Sequence, residues 1–199
     1  MKLILNISII ILGIFISLKA YSQDKIEWGE TYLLSISDFQ SNTTKIGNEE
    51  NQNYLIQPAI NIDFGFHMSN YEFMLTKNFN SKVVSTFNRK ASIIISPNQD
   101  KALILVNYAQ LQFNLMELYA RKLRKKIYES KGIFSETNFY QKLYDEIMLE
   151  YSERQIKLLE STEYGLNNER INELKMEVNS EIIELKDFCK SCKPLKKKK

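Results

Sequence analysis

Hydrophobic and polar residues alternate along the first half of the chain. The stretch AINIDFGFHM (59–68) carries an apolar residue at every second position, with polar residues or glycine between them. This period of two predicts a strand with one buried face. The polar stretch 40–57 predicts a loop. Further strands are predicted where aromatic and β-branched residues are frequent, at 27–39, 71–76, 82–87 and 91–95.

The spacing of apolar residues becomes helical in the second half of the chain. Asn98 or Asp100 would cap a first helix of about 30 residues, and Ser135 or Thr137 would cap a second, because these side chains accept hydrogen bonds from the first turn. Gly165 would end the second helix. The second and third helices are predicted at about 136–160 and 167–188. The predicted fold is therefore α+β, with a small N-terminal antiparallel sheet followed by three long helices.

The N-terminal residues have the pattern of a secretory signal peptide. Lys2 precedes an almost wholly apolar run (3–18), and the small residues Ala20 and Ser22 precede a cleavage point at Gln23. We therefore expect a periplasmic or secreted protein. The alternative, an uncleaved membrane anchor, is disfavoured because the run is short for a span of about 20 residues. The predicted organisation is a signal peptide, one α+β domain and a lysine-rich tail, at 1–22, 23–188 and 189–199.

The charge of the chain gives little reason to expect a nucleic-acid partner. The formal net charge is +3, and removal of a signal peptide that contains Lys2 and Lys19 lowers it to +1. The basic block at 121–126 lies in the C-terminal half of a predicted helix, where cations complement the helix dipole. Without a global positive charge or interleaved aromatic residues, we predict no nucleic-acid binding.

The predicted tail combines two cysteines with a lysine run. Cys189 and Cys192 form a C-x-x-C pair, which is expected to be a local disulfide or two free thiols in an oxidising compartment. A redox-active pair is the alternative, and it would require a thioredoxin-like context that this segment lacks. The terminal lysines would either remain solvated or make a weak contact with an anionic membrane. These residues are Lys196, Lys197, Lys198 and Lys199.

One run in the first predicted helix resembles a known motif. YAQLQFNLMELYARKLR (108–124) is similar to H-E-Q-x-H-F-D-I-x-E-x-x-A-R-x-L-R, the core helix of an uncharacterised bacterial family of predicted secreted zinc-dependent proteases. Asn114 stands where that family has Asp. The matching residues are Gln110, Phe113, Glu117, Tyr119, Ala120, Arg121, Leu123 and Arg124. Three further elements look like those of the family and occur in the same order: Trp28 with LSISDF (34–39), Phe87 with Ser92, and TEYG (162–165).

The resemblance implies a zincin-like fold, but the positions that would hold zinc carry other residues. Two histidines and a glutamate of the family helix are replaced by Tyr108, Gln112 and Ala109, and the histidine of its T-x-H-G element is replaced by Tyr164. Phenol and amide groups are poor zinc ligands, and alanine cannot act as a base. His67 is the only histidine, and a lone histidine is more often a surface or hydrogen-bonded residue than a ligand.

These replacements predict a catalytically inactive pseudopeptidase without metal or cofactor. We expect Tyr108, Gln112 and Tyr164 to hydrogen-bond with one another across the former metal site, and an unidentified protein or peptide to bind in the old cleft. One alternative is a hydrolase that uses carboxylates such as Glu117 or Glu163. Another alternative is a structural envelope protein that self-associates through its helices.

A charged group follows the replaced positions on the same helix. Glu117 and Arg121 are four residues apart in the favourable order for an ion pair, and Arg124 lies one turn further on. The group could clamp a substrate or partner, or it could be an ordinary helix-surface pair that packs against the sheet. Because these residues match the family pattern while the metal ligands do not, a structural role is favoured.

Overall fold

A computed structural model describes residues 24–47, 53–65, 68–133, 135–136 and 138–194. The predicted signal peptide, His67 and the four terminal lysines lie outside these residues. The strands are β1 (Lys25–Glu27), β2 (Lys45–Ile46), β3 (Leu55–Gln57), β4 (Ile60–Phe64), β5 (Val83–Asn88) and β6 (Ile93–Ser96). The helices are α1 (Asn70–Leu75), α2 (Gln99–Ser130), α3 (Phe139–Ser161) and α4 (Asn168–Glu184).

The six short strands form two sheets of three strands each. In the first sheet the order is β1-β5-β4 and every pair is antiparallel; Ile62 lies opposite Ser85. In the second sheet the order is β2-β6-β3, with β2 parallel and β3 antiparallel to β6. Three long helices follow the sheets. The predicted α+β class and the order of its elements are confirmed, although a second, mixed sheet accompanies the expected antiparallel one.

Three local predictions in the first half are wrong. Segment 27–39 is not a strand, because β1 ends at Glu27 and Ile36–Asp38 forms a short 3-10 helix. Segment 71–76 is mostly helical rather than extended, because α1 begins after Ser69, whose Oγ accepts a hydrogen bond from the backbone N–H of Glu72 (3.2 Å). The predicted loop 40–57 contains β2 and β3, which pair with the apolar strand β6. All three errors concern segments in which tertiary contacts outweigh local pattern.

The predicted cap Asn98 is confirmed at the start of α2, neither Ser135 nor Thr137 is the N-cap of α3, and no cap was predicted for α4. Asn98 accepts a hydrogen bond from the N–H of Lys101 (2.9 Å) at the start of α2, and Asn167 accepts one from the N–H of Arg170 (3.0 Å) at the start of α4. Helix α3 starts later than predicted, with Asn138 at its N-cap. Ser135 is not its cap, because the Ser135 Oγ accepts from the N–H of Gly132 (2.9 Å) instead.

Helix α2 is the centre of the fold. Every residue from Tyr108 to Arg121 is buried, because strands of both sheets and the helices α3 and α4 all pack against α2. A helix that is covered on all sides has no solvent face on which to place polar residues. Each polar side chain in this part of α2 therefore needs a partner within the protein.

The segment after α4 folds back onto the first sheet and α2. Cys189 and Cys192 are joined by a disulfide, and the Cys192 carbonyl accepts hydrogen bonds from the side-chain amides of Asn78 and Asn80 (both 3.0 Å). Lys190 forms an ion pair with Glu27 on β1. The C-x-x-C end of the predicted tail is thus attached to the body of the protein. Among the described residues, no helix is long and apolar enough to cross a membrane.

Candidate functional site

The positions that correspond to the family's metal ligands on α2 are buried and bonded to each other. Tyr108 and Gln112 lie one helical turn apart, and the Gln112 Nε2 donates a hydrogen bond to the Tyr108 hydroxyl (2.9 Å). Tyr108, Ala109 and Gln112 are 1%, 0% and 6% exposed. The position where the resemblance would place a metal is therefore packed with protein and does not form an open cleft.

The environment of Tyr108 keeps its phenol neutral. Burial raises the pKa of Tyr108 to about 12, although hydrogen bonding with Gln112 and Thr162 acts in the opposite direction. Burial also raises the pKa of the neighbouring Tyr151. The Thr162 Oγ1 donates to the Leu158 carbonyl (2.7 Å), which extends the hydrogen bonds from α2 to the end of α3. Tyr108 is therefore a structural hydroxyl at neutral pH.

The turn between α3 and α4 closes this site with backbone. Glu163, Tyr164 and Gly165 all have positive φ angles, of 51°, 58° and 86°. This turn brings Gly165 so close to Tyr108 that a Cβ atom on Gly165 would lie 2.8 Å from the Tyr108 Cδ1. The side chain of Tyr164 turns outward and is 61% exposed. The expected contact of Tyr164 with Tyr108 and Gln112 is therefore not formed, because the left-handed turn presents Gly165 to them instead.

The donor set at this site does not suit zinc. The side chains at the three positions are a neutral phenol, a carboxamide and a methyl group, and the methyl group cannot bind a metal. Zinc prefers imidazole, thiolate and carboxylate ligands. The Gln112 Oε1 is buried and has no hydrogen-bond partner among the described residues. A single amide oxygen does not supply the three protein ligands that a catalytic zinc requires. Within the described ranges, no three His, Cys, Asp or Glu side chains are grouped so that they could hold a metal ion.

A second set of buried polar residues runs along α2 next to this site. We call it the polar stripe. Its N-terminal half, Gln110 and Asn114, belongs to a network of neutral groups. The Gln110 Oε1 accepts from the N–H of Leu34 (2.7 Å), and the Gln110 Nε2 donates to the Asn114 Oδ1 (2.9 Å). The Trp28 Nε1 also donates to the Asn114 Oδ1 (3.0 Å), and the Asn114 Nδ2 donates to Asn179 on α4 (3.0 Å). The stripe consists of Gln110, Asn114, Glu117, Arg121 and Arg124.

The C-terminal half of the polar stripe, formed by Glu117, Arg121 and Arg124, is ionic. The Glu117 Oε1 accepts from the Arg121 Nε (3.1 Å) and from the Arg124 Nη1 (2.8 Å). Arg124 also donates to the carbonyls of Val83 (2.7 Å from Nη2) and Phe188 (3.0 Å from Nη1). These bonds connect α2 with the first sheet and with the segment that leads to the disulfide.

The structure corrects the expectation that this charged group lies on the helix surface. Glu117, Arg121 and Arg124 are 3%, 2% and 1% exposed. They are buried because α2 is covered on all sides, which sequence spacing alone does not reveal. The structural role favoured by the sequence is consistent with these contacts, and the three residues also line a cavity.

A cavity of about 340 Å³ opens beside the ionic half of the polar stripe. The Arg121 guanidinium carbon lies 5.5 Å from the centre of the Trp28 ring. Sequence reasoning noted Trp28 in a motif but assigned it no site, and it gave no signal for Ser85 or Lys190, which come from other parts of the chain. The lining residues are Trp28, Glu30, Val84, Ser85, Glu117, Arg121, Arg124, Cys189, Lys190 and Ser191.

We expect Tyr108→Phe to lower the free energy of unfolding by about 1–3 kcal/mol, because it leaves the buried Gln112 Nε2 without an acceptor. Adding Gln112→Leu should recover most of this loss, since it removes both the stranded nitrogen and the Oε1 that already lacks a partner. Urea unfolding of the wild type, the single variant and the double variant measures the effect. A double variant less stable than Tyr108→Phe would contradict this account of the site.

The chain matches no protein-family model, no curated protein and no solved structure. The resemblance of α2 to the zinc-protease helix therefore remains a prediction from the quoted residues. The functional argument has to come from the geometry of the sites themselves.

Proposed function

We propose that this protein is a periplasmic or secreted pseudopeptidase, a catalytically inactive member of a zinc-protease-like family that binds a protein or peptide. The observation that carries the proposal is the closed former metal site, where Tyr108 and Gln112 hydrogen-bond to each other and Gly165 packs on the Tyr108 ring. A peptidase needs an open site with a polarised water or a nucleophile. This position offers neither the space nor the ligands.

The residues on which the resemblance depends are in contact with one another in the structure, and these contacts support the proposal. Trp28 and Leu34, from the opening motif, bond to Asn114 and Gln110 of α2. Thr162 and Gly165, from the downstream motif, lie against Tyr108. Such an arrangement is expected if the scaffold of the family is retained while its metal chemistry is lost.

Because the position of the former metal site is closed, we expect a partner to bind elsewhere than in the old cleft. With Tyr108 and Gln112 buried, a ligand cannot reach them without displacing protein. The cavity at Trp28 and Arg121 lies beside the same helix and is open. We therefore assign partner binding to this cavity.

The two alternatives have weaker support. A hydrolase would need a free carboxylate, but Glu117 accepts hydrogen bonds from two guanidinium groups, and Glu163 lies in the exposed turn and accepts from Asn167. A self-associating envelope protein would present apolar surface without a cleft. Leu149 and Ile183 are indeed exposed on α3 and α4, yet the cavity beside Arg121 favours binding over a purely structural role.

The metal content of the purified chain without residues 1–22 tests the proposal. The protein is incubated with excess zinc, dialysed and analysed by mass spectrometry, and a protein substrate is then incubated with it in the presence and absence of zinc. We expect no stoichiometric zinc and no proteolysis. One tightly bound zinc per chain, or cleavage that depends on zinc, would contradict the pseudopeptidase proposal.

A further inference from the structure

The ionic half of the polar stripe carries an excess of buried positive charge. Arg121 and Arg124 are both at least 98% buried and share one buried carboxylate, that of Glu117. Arg121 also forms a longer ion pair with Glu30, at 3.7 Å from Nη2, but the Glu30 side chain is 77% exposed and compensates the buried charge only weakly. Because an uncompensated buried charge is costly, this arrangement favours the binding of an anion.

Arg121 is the group with donors to spare. Arg124 uses its Nε and both Nη atoms on Glu117 and on the carbonyls of Val83 and Phe188. Arg121 donates from Nε to Glu117 and from Nη1 to the Ile182 carbonyl (2.9 Å). A guanidinium has five N–H groups in a fixed fork, so Arg121 retains N–H groups on Nη1 and Nη2 beyond these two bonds.

A second residue that lines the cavity has a polar group without a partner among the described residues. Ser85 is 1% exposed, and its Oγ has no hydrogen-bond partner among the described residues, although buried hydroxyls are normally bonded. The backbone N–H of Trp28 donates to the Ser85 carbonyl (2.9 Å), which keeps both residues on the same wall. Thus an unbonded hydroxyl, spare guanidinium donors and an indole face border one cavity.

We propose that this cavity binds the C-terminal carboxylate of a peptide, with Arg121 and Ser85 as donors and Trp28 packed against the adjoining residue. The inference rests on the proposed function and names the class of partner. A planar carboxylate matches the fork of one guanidinium, and a single negative charge balances the single excess positive charge of the group. A doubly charged phosphate would leave one negative charge unbalanced next to the carboxylate of Glu30.

The binding energy comes from charge-assisted hydrogen bonds in a partly desolvated site. The disulfide loop closes one side of the cavity with Cys189, Lys190 and Ser191. Lys190 is held by Glu27 on β1, so its charge is already balanced. The carboxylate specificity is therefore assigned to Arg121, with Ser85 supplying the additional hydrogen bond.

Fluorescence of Trp28 provides a direct test, because it is the only tryptophan of the chain. The full mature chain is titrated with N-acetyl-Gly-Gly, with its C-terminal amide, with a C-terminally amidated peptide that carries an aspartate, and with inorganic phosphate. A saturable change with the free acid alone is expected. An equal response to the amide, tighter binding of phosphate, preference for the aspartate side chain or no response at all would each overturn the proposal.

Variants identify the donors. Arg121→Lys keeps the charge but removes the fork and should weaken binding about tenfold, and Ser85→Ala should weaken it about threefold. Arg170→Lys on the exposed face of α4 is the matched control and should bind like the wild type. If Arg121→Lys does not fold, as judged by circular dichroism, Ser85→Ala decides. Wild-type affinity in a folded Arg121→Lys variant would overturn the assignment. If that variant does not fold, wild-type affinity in Ser85→Ala would overturn it.

The failure of this site and the failure of the proposed function give different results. A chain that holds no zinc and also ignores the free acid would remain a pseudopeptidase whose partner binds elsewhere. A chain that holds zinc and cleaves protein would contradict the proposed function, whatever its response to the acid.

Discussion

Arg124→Met is expected to lower the free energy of unfolding by about 3–5 kcal/mol, the usual cost of breaking a buried ion pair by removing one partner. Methionine fills much of the space, so the loss comes mainly from unpaired polar groups. The Val83 and Phe188 carbonyls lose their donor, and Glu117 keeps only Arg121. Urea unfolding followed by circular dichroism measures the change.

Lys125→Met is the matched control for this prediction. Lys125 is the next residue on α2 and is exposed, so the same exchange there removes a charge without stranding a buried group. We expect an effect within about 0.5 kcal/mol, as for most surface substitutions. A loss below about 1 kcal/mol for Arg124→Met would mean that the ionic half of the polar stripe is not the structural junction described above.

Gly165→Ala is expected to lower the free energy of unfolding by about 2–4 kcal/mol, combining the cost of a left-handed backbone with that of overpacking. The φ angle of Gly165 is +86°, a conformation that L-residues with a side chain rarely adopt. The added Cβ would also lie 2.8 Å from the Cδ1 and 3.0 Å from the Cγ of the buried Tyr108 ring. The ring is packed on all sides and cannot simply move away.

Gly47→Ala separates the two contributions. Gly47 also has a positive φ angle, +94°, but nothing lies within 4 Å of an added Cβ. Its replacement should cost only the backbone part, about 1–2 kcal/mol. In a Tyr108→Ala background, Gly165→Ala should fall to a similar value. Equal costs for Gly47→Ala and Gly165→Ala in the wild-type background would show that the contact with Tyr108 carries no energetic weight.

The sequence predicted best those features that depend on neighbours along the chain. The cap at Asn98 follows from a short-range hydrogen bond, and the helical spacing that identified α2 and α4 is also local. Segment 71–76 was mispredicted as a strand because a short apolar run fits either structure. There the cap at Ser69 and the packing of Phe73 into the core select the helix.

The candidate site was predicted in part. The spacing of Tyr108 and Gln112 was sufficient to place them on one face of a helix, and their hydrogen bond follows from that spacing. The outward position of Tyr164 could not be inferred, because it depends on three consecutive positive φ angles in the turn. Only the packing of Gly165 against Tyr108 makes that turn conformation understandable.

The order of residues along α2 was enough to group Glu117, Arg121 and Arg124, since positions three and four apart share a helix face whatever surrounds it. Whether that face meets water or protein depends on the elements packed around it. The two sheets, α4 and the disulfide loop bury Arg121 and Arg124, and they bring Ser85 and Trp28 beside them from distant parts of the chain. Burial and long-range proximity are properties of the whole packed molecule, so the excess charge and its open cavity emerge only in three dimensions.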